Sequence, residues 1–530
     1  MRGSVGILTL GLLAWIGCFG PQPVQAGKVL ALPVDGSHWL SMKILVKELI
    51  QRGHDVLVLV PETSLLIKSS ENYRTEIYQV PYSKEDLDGS FQALKDGLFL
   101  KPPSMADLFV NVGRLVNFTT MQVTGCESLL RNQPLMTRLR EQGFEAVLTD
   151  PFLPCGSIVS HLFNIPAVYF LRGLPCELDS KANQCPAPPS YVPTGNSDVM
   201  TFPQRVKNML MYLVQSYLCN VMYHEFDRLV TRHMSDIQSY RELISRGAFW
   251  LLRYDFTFEH PKPVMPNTAF IGGINCAKKA PLPAVSIPKL PVGMWGCVLA
   301  AEDQDLEEFV NGSGDDGFIV FTLGSMVDNM PEEKAKQFFD AFAQIPQRVL
   351  WRYNGAVPEN APKNVKVMKW LPQNDLLAHP KAKVFITHGG IHGIYEGICN
   401  GVPMLMFPLF GDQIDNVPRM IHRGVAETLS IYDVTSQKLV ARLRKWSRTR
   451  AEPGPPVAPL DLAVFWTEFV MSTRCPAPPR SRPRLNWFQY HSLDIFCFLA
   501  VVLLTVLWVL LKCCSCCARR CLRIGKMKKE

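Results

Sequence analysis

The stretch KVLALPVDGSHWLSMKILVKELIQRGHDVLVLV, Lys28 to Val60, decides the fold. Its ends, Lys28 to Val34 and Asp55 to Val60, are short apolar runs that read as strands. Asp35-Gly-Ser-His-Trp39 between them is expected to be a loop. Ser41 is placed to cap a helix whose positions Ile44, Leu45, Leu49 and Ile50 share one face, and Gly53 to end it. Strand, helix and strand within 33 residues make a βαβ unit, in which both strands run parallel in one sheet.

Outward from this unit, Glu145 to Asp150 and Ile165 to Phe170 repeat the strand pattern across a helix-like stretch. Segments 104–140 and 203–247 are rich in helix formers and Met, and are expected to cover the sheet. Pro281 to Pro291 is Pro-rich and reads as a linker. Beyond it, Gly317 to Leu323, Arg348 to Arg352, Val365 to Met368, Lys383 to Thr387 and Val402 to Phe407 read as strands. Pro331-Glu-Glu opens a helix with proline and acids in its first turn, as the helix dipole favours. Two successive α/β units predict two doubly wound, Rossmann-like domains facing a cleft, with ligands at the carboxyl ends of the strands.

The 530 residues, 47% hydrophobic and 19% charged, suit two or three packed domains and exclude a mostly disordered chain. Much of the net charge of +8 sits at the end: Lys512 to Glu530 holds seven Lys or Arg against one acid. The nearly neutral remainder has no basic stripe for a phosphate backbone, so nucleic acid is not an expected partner. Arg2, the apolar run Val5 to Phe19 and Val24-Gln25-Ala26 read as a cleaved signal peptide over residues 1–26. Ile495 to Leu511, 17 residues without charge, reads as one transmembrane helix, with Trp487, Tyr490 and Trp508 near its edges. The expected organisation is an N-terminal domain over 27–280, a linker over 281–300, a C-terminal domain over 301–486, an interfacial segment and span over 487–511, and a basic tail over 512–530. The expected topology is a single-pass, type I membrane protein with a lumenal body, a cytosolic tail and contact with membrane lipid.

Lys526-Met-Lys528-Lys529-Glu530 resembles a dilysine retrieval signal for the endoplasmic reticulum; a solvated basic tail near anionic lipid is the alternative. Nine of the 16 cysteines fall in the lumenal part, which predicts one or two bridges of unreadable connectivity. The tail run Cys513-Cys514-Ser515-Cys516-Cys517 reads as juxtamembrane packing or palmitoylation rather than a zinc site. Asn117-Phe-Thr and Asn311-Gly-Ser are glycosylation acceptors.

The chemistry concentrates in the 44 residues from Trp370 to Gln413. Thr387-His-Gly-Gly390 is a strand end running into a helix start, where unpaired backbone N–H groups bind anions and glycines let a phosphate approach. His388 can add a donor to a diphosphate, Trp370 a face for a base, and Glu396 a carboxylate for two ribose hydroxyls. Asp412 and Gln413 follow another strand end and can bind sugar hydroxyls. Singly, each has a plainer reading: Trp370 as core, His388 as a cap, Glu396 as a solvated helix residue. In the first half, His38 and Asp150 both follow strand ends and can face the cleft. An imidazole suits a general base at neutral pH, and a carboxylate on its far nitrogen would fix its tautomer. The plainer readings are a loop residue for His38 and a helix cap for Asp150. No G-x-G-x-x-G follows the first strand, which disfavours a nicotinamide dehydrogenase, and no G-x-S-x-G elbow supports a hydrolase. Asp303-Gln-Asp305 and Asp86-Leu-Asp88 match a metal-binding D-x-D pattern but read as surface charge, so no metal is expected.

These segments resemble the UDP-glycosyltransferase signature and, more narrowly, a vertebrate family 1 UDP-glucuronosyltransferase. The resemblance extends to Leu148 to Cys155, Phe321 to Val327, Leu350 to Tyr353, Leu460 to Trp466, the span and the lysine tail. It implies a two-domain GT-B fold. It also implies inverting transfer of glucuronic acid from UDP-glucuronate, as co-substrate without other cofactor, to small lipophilic acceptors such as phenols, steroids, bilirubin-like or xenobiotic compounds. It assigns the donor to Ser325, Arg352, Trp370, Gln373, His388, Gly389, Gly390, Glu396, Asp412 and Gln413, and catalysis to His38 and Asp150. His392 stands where many relatives carry Asn and is expected to face the phosphates or sugar. Relatives associate in the membrane, so a homo- or hetero-oligomer is implied. Arg352 or a nearby cation is the expected partner of the glucuronate carboxylate, and Phe109, Phe118, Met121, Phe152, Tyr169 and Phe170 the expected lining for the acceptor. Ala284 to Asp303 resembles an insertion and Val434 to Val457 is shortened relative to the family. A catalytically impaired, lipophile-binding partner of active relatives is therefore the alternative.

Overall fold

The computed structural model describes residues 27–276, 306–446 and 487–527, except 70–72, 96–97, 100–104, 187–188, 192–193, 198, 256–257, 261, 266 and 491. The expected signal peptide, the 281–300 linker, the 447–457 part of the shortened segment and the last three residues of the dilysine motif lie outside the described residues.

The first half forms a seven-stranded parallel sheet in the order β3-β2-β1-β4-β5-β6-β7. Its strands are β1 Lys28–Leu32, β2 Asp55–Pro61, β3 Arg74–Tyr78, β4 Ala146–Thr149, β5 Ala167–Leu171, β6 Phe249–Leu252 and β7 Thr268–Phe270. Side chains alternate across β1. Leu30 and Leu32 join Leu57, Phe226, Tyr240 and Trp250 on one face. Ala31 joins Val56, Val58, Trp39, Met42 and Val46 on the other. Both faces are covered, which is why β1 and β2 read as unbroken apolar runs.

The second half forms a six-stranded parallel sheet in the order β10-β9-β8-β11-β12-β13. Its strands are β8 Phe318–Thr322, β9 Arg348–Arg352, β10 Val365–Met368, β11 Ala382–Thr387, β12 Met404–Met406 and β13 Ala426–Thr428. Phe321 stacks on Trp351 and on Phe338, each pair with centroids 4.9 Å apart, on one face. Phe318 and Val320 pack with Leu376 and Ile394 on the other. In both sheets the strand order reverses beside the sheet's first strand in the chain, β1 or β8, and all carboxyl ends share one edge.

Three expectations need correction. Residues 35–39 are not all loop: the helix Ser37–Gln51 begins after Gly36, whose φ of 79° suits glycine, and so carries His38 and Trp39 in its first turn. Ser41 does not cap that helix; it is wholly buried. The described cysteines form three bridges, Cys126–Cys155, Cys176–Cys219 and Cys276–Cys399, rather than one or two. The last joins the end of the first half to the helix Ile391–Cys399 of the second.

The helix Leu493–Met527 contains a stretch, Leu493–Arg519, long and apolar enough to cross a membrane. Its start is docked on the helix Phe202–His233: Asp494 pairs with Arg205, and Phe498 packs edge-on against Phe202 at 5.9 Å.

Glu177 follows Cys176, and both have left-handed backbones. Its Oε2 is buried without a hydrogen-bond partner among the described residues, and burial raises its pKa to about 7. A carboxyl raised above its unfolded value of 4.5 favours folding at acid pH and loses that contribution as pH rises through about 7. Glu177→Gln is therefore expected to stabilise the protein by roughly 2 kcal/mol at pH 7.4 and to flatten the decline in melting temperature between pH 5 and 7. An unchanged slope in thermal melts would contradict this.

Candidate functional site

His38 and Asp150 come together. Asp150 follows β4 and His38 follows β1, and these strands are neighbours, with Leu32 in register with Thr149. His38 Nδ1 lies 2.6 Å from Asp150 Oδ2. A carboxylate only accepts, so Nδ1 donates, and in the neutral imidazole Nε2 is the nitrogen that keeps its lone pair. Asp150 is 1% exposed, and its Oδ1 accepts the Phe152 N–H at 2.9 Å. That bond closes a turn; the helix Cys155–Phe163 starts only after Pro154, without a side-chain cap, so Asp150 is not the helix cap of its plainer reading. The Phe152 ring lies 5.6 Å from the imidazole.

One turn further on, Ser41 bridges the two halves. Its Oγ accepts from Arg253 Nη1 at 2.9 Å and lies 3.3 Å from His392 Nδ1. Arg253 follows β6 and is buried; desolvation lowers its pKa against the opposing pull of Asp150. Its Nε has no hydrogen-bond partner among the described residues. Sequence reasoning missed both residues, because neither belongs to a local motif and each gains meaning only from the sheet.

In the second half, β11 ends at Thr387, and the helix Ile391–Cys399 starts after Gly390. Its first-turn N–H groups have no intrahelical acceptors. Gly389 has φ 85° and lies against Val417, where a Cβ would approach to 2.9 Å. His388 is half-buried between two glycines: a Cβ on Gly324 or Gly390 would come within 2.5 Å of its ring. Desolvation lowers the His388 pKa to about 4, so the imidazole is neutral at physiological pH.

Glu396, 5% exposed, accepts from Gln373 Nε2 and lies 3.0 Å from His392 Nε2. His392 thus sits between Ser41 and Glu396. Trp370 is 50% exposed, so it is not core, and the Arg352 guanidinium lies 5.2 Å from its ring. Arg352 donates to the carbonyls of Gly324, Ser325 and Lys369. Gln413 Oε1 accepts from the N–H groups of Leu409 and Phe410, which pins the loop after β12. Asp412 is exposed at the start of the helix Gln413–His422 and accepts from Asn416 Nδ2 at 2.9 Å. All named donor residues therefore cluster at the carboxyl edge of the second sheet, with Ser41 of the first half touching His392.

Of the expected acceptor lining, Tyr169 and Phe170 are 1% and 0% exposed and belong to the core instead. Phe118 packs on Phe91 at 4.9 Å. Asp86 caps its own helix, accepting from Ser83 N and Oγ at 2.8 Å. Asp303 and Asp305 lie outside the described residues.

A family model described as UDP-glucoronosyl and UDP-glucosyl transferase matches residues 27–528. The chain belongs to this family. A UDP-glucuronosyltransferase of Pleuronectes platessa is 55% identical, over 89% of this chain and all of its own length. UDP-glucuronosyltransferase 1A1 of Rattus norvegicus is 44% identical over 100% and 98%. The human protein of that name is 44% identical over 98% and 97%. Among solved structures, a Polygonum tinctorium UDP-glucosyltransferase complexed with 3,4-dichloroaniline aligns with TM-score 0.50 and 17% identity, covering 80% of this chain and 90% of its own. The fold is of the GT-B type.

Gly324→Ala forces a side chain into a φ of 89° and into the His388 ring. UDP affinity is expected to fall about tenfold and stability by roughly 1–3 kcal/mol. Unchanged calorimetric binding would show that His388 does not depend on this packing.

Proposed function

We propose that this protein transfers glucuronic acid from UDP-glucuronate to a hydroxyl or similar group of a small lipophilic acceptor, in one inverting displacement that yields a β-glucuronide and UDP. The His38–Asp150 pair carries the reading, because it lies one turn from Ser41, which touches the donor half through His392. The acceptor oxygen attacks the anomeric carbon as the bond from that carbon to the diphosphate oxygen breaks. His38 Nε2 takes the acceptor's proton, and Asp150 stabilises the imidazolium.

The leaving diphosphate takes its negative charge to the N-terminus of the helix Ile391–Cys399, where the N–H groups beside Gly389 and Gly390 and neutral His388 receive it. Trp370 stacks the uracil, with Arg352 fixed behind it. Glu396, held by Gln373 and His392, takes the ribose hydroxyls, and Asp412 and Gln413 the sugar hydroxyls. Ser325 lines the same edge. Arg253 is the better partner for the glucuronate carboxylate than Arg352. The latter is tied to three backbone carbonyls, whereas Arg253 interacts with Asp150 and has an Nε without a partner among the described residues. The activity needs no metal or cofactor beyond the co-substrate. No observation favours the alternative of an impaired binding partner.

The apolar helix from Leu493 supports membrane anchoring. The adjoining helix Phe202–His233 exposes Leu210, Leu213, Tyr217 and Val221, which supports contact with membrane lipid. Residence in the endoplasmic reticulum membrane with a lumenal body, a cleaved signal peptide, glycosylation of the exposed Asn117 and Asn311, and acceptors of the phenol, steroid or bilirubin-like kind complete the proposal.

The test uses full-length protein with UDP-glucuronate and a phenol. His38→Gln and Asp150→Asn are expected to lower turnover by about 10²–10⁴-fold while UDP still binds. Retained turnover in His38→Gln overturns the base assignment. Arg253→Gln is expected to lower use of UDP-glucuronate but not of UDP-glucose, and an equal loss with both donors would contradict the carboxylate assignment.

A further inference from the structure

Asp412, Asn416 and Arg419 stand at i, i+4 and i+7, on one face of the helix Gln413–His422. Asn416 is wholly buried, and its amide is saturated. Nδ2 donates to the Gly389 carbonyl at 3.1 Å and to Asp412 Oδ2 at 2.9 Å. Oδ1 accepts from Arg172 Nη2 and Arg419 Nη1, each at 3.3 Å.

These partners come from both halves. Arg172 follows β5 in the first half, while Arg419 and Gly389 belong to the second. Glu259, also of the first half, pairs with Arg172 at 2.8 Å and with Arg419 at 3.5 Å, so one carboxylate spans two cations. The buried Phe258 ring lies 5.7 Å from one guanidinium and 5.6 Å from the other. Asp415, on the same helix, accepts the Gly195 N–H of the first half.

The bond to Gly389 has a geometric consequence. The carbonyl of Gly389 and the N–H of Gly390 belong to one planar trans peptide and point in opposite directions. Holding the carbonyl on Asn416 therefore sets the direction of the Gly390 N–H. Glycine at φ 85° would otherwise let that peptide rotate.

We propose that Asn416 is a positioning residue, clamped across the domain boundary by Arg172, Glu259 and Arg419, and that it sets the donor loop for the diphosphate only while the two domains are latched. The proposal rests on the donor site assigned above. It makes donor affinity depend on residues of the acceptor-side domain that are absent from the family's donor signature.

The test is steady-state kinetics on full-length protein with UDP-glucuronate and a phenol, with UDP binding to the wild type measured first. Asn416→Asp keeps the size and the acceptor toward both arginines, but turns an oxygen toward the Gly389 carbonyl and Asp412. Its KM for UDP-glucuronate is expected to rise about tenfold, with smaller changes in kcat and in acceptor KM. Glu259→Gln is expected to raise donor KM by a smaller factor, and Glu259→Asp to restore part of it. The double variant is expected to be little worse than Asn416→Asp alone, since both act along one path.

An unchanged donor KM in Asn416→Asp, or fully additive losses, overturns the proposal. If Asn416→Asp gives no cooperative thermal transition, Glu259→Gln decides alone, and an unchanged donor KM there overturns it. Absence of UDP binding by the wild type would instead defeat the donor-site reading.

Discussion

A carboxylate with 1% of its surface in solvent needs a partner, and Asp150 finds one in His38. That requirement organises the first domain. The two residues are 112 apart in the chain but follow adjacent parallel strands, so only the β1–β4 pairing brings them together. The helix Ser37–Gln51 must begin early enough to carry His38 in its first turn, and Gly36 permits it with a backbone that other residues avoid. The imidazole is then one turn from Ser41, and through Ser41 it is joined to Arg253 and to the donor domain.

The second domain carries the edge proposed to hold the leaving diphosphate. The helix start after Gly390 supplies unpaired N–H groups, and close packing of glycines around His388 leaves the ring little freedom. The low pKa of His388 keeps it a neutral donor rather than a cation. The domains are also joined covalently by Cys276–Cys399 and electrostatically by the ion cluster of Arg172, Glu259 and Arg419. Catalysis in a cleft of this kind depends on how reproducibly the two edges meet.

Much of this was legible in the sequence, for physical reasons. Buried parallel strands are continuous apolar runs, so β1, β2, β8 and β9 were placed within a residue or two. Strand-end polar residues around a Gly-Gly turn marked the edge to which the donor is proposed to bind. The edge strand β3 was missed because Arg74-Thr-Glu-Ile-Tyr78 mixes charge with apolar residues, and the short strands β6, β7 and β13, of three or four residues, were not read either. The helix start was misplaced because Asp35-Gly-Ser looks like a turn and continues as one only to Gly36. Asn416 sits three residues past Gln413, where the motif stops, although its spacing from Asp412 and Arg419 was there to read. Arg172, Arg253 and Glu259 were illegible because their partners are far away in sequence.

A structure of the full-length protein with UDP-glucuronate and an unreactive acceptor analogue puts this cleft to the test. Uracil is expected against Trp370, the diphosphate at Gly389 and Gly390, and the analogue's nucleophilic position about 3 Å from His38 Nε2. A diphosphate bound elsewhere, or an analogue out of reach of His38, would contradict this arrangement.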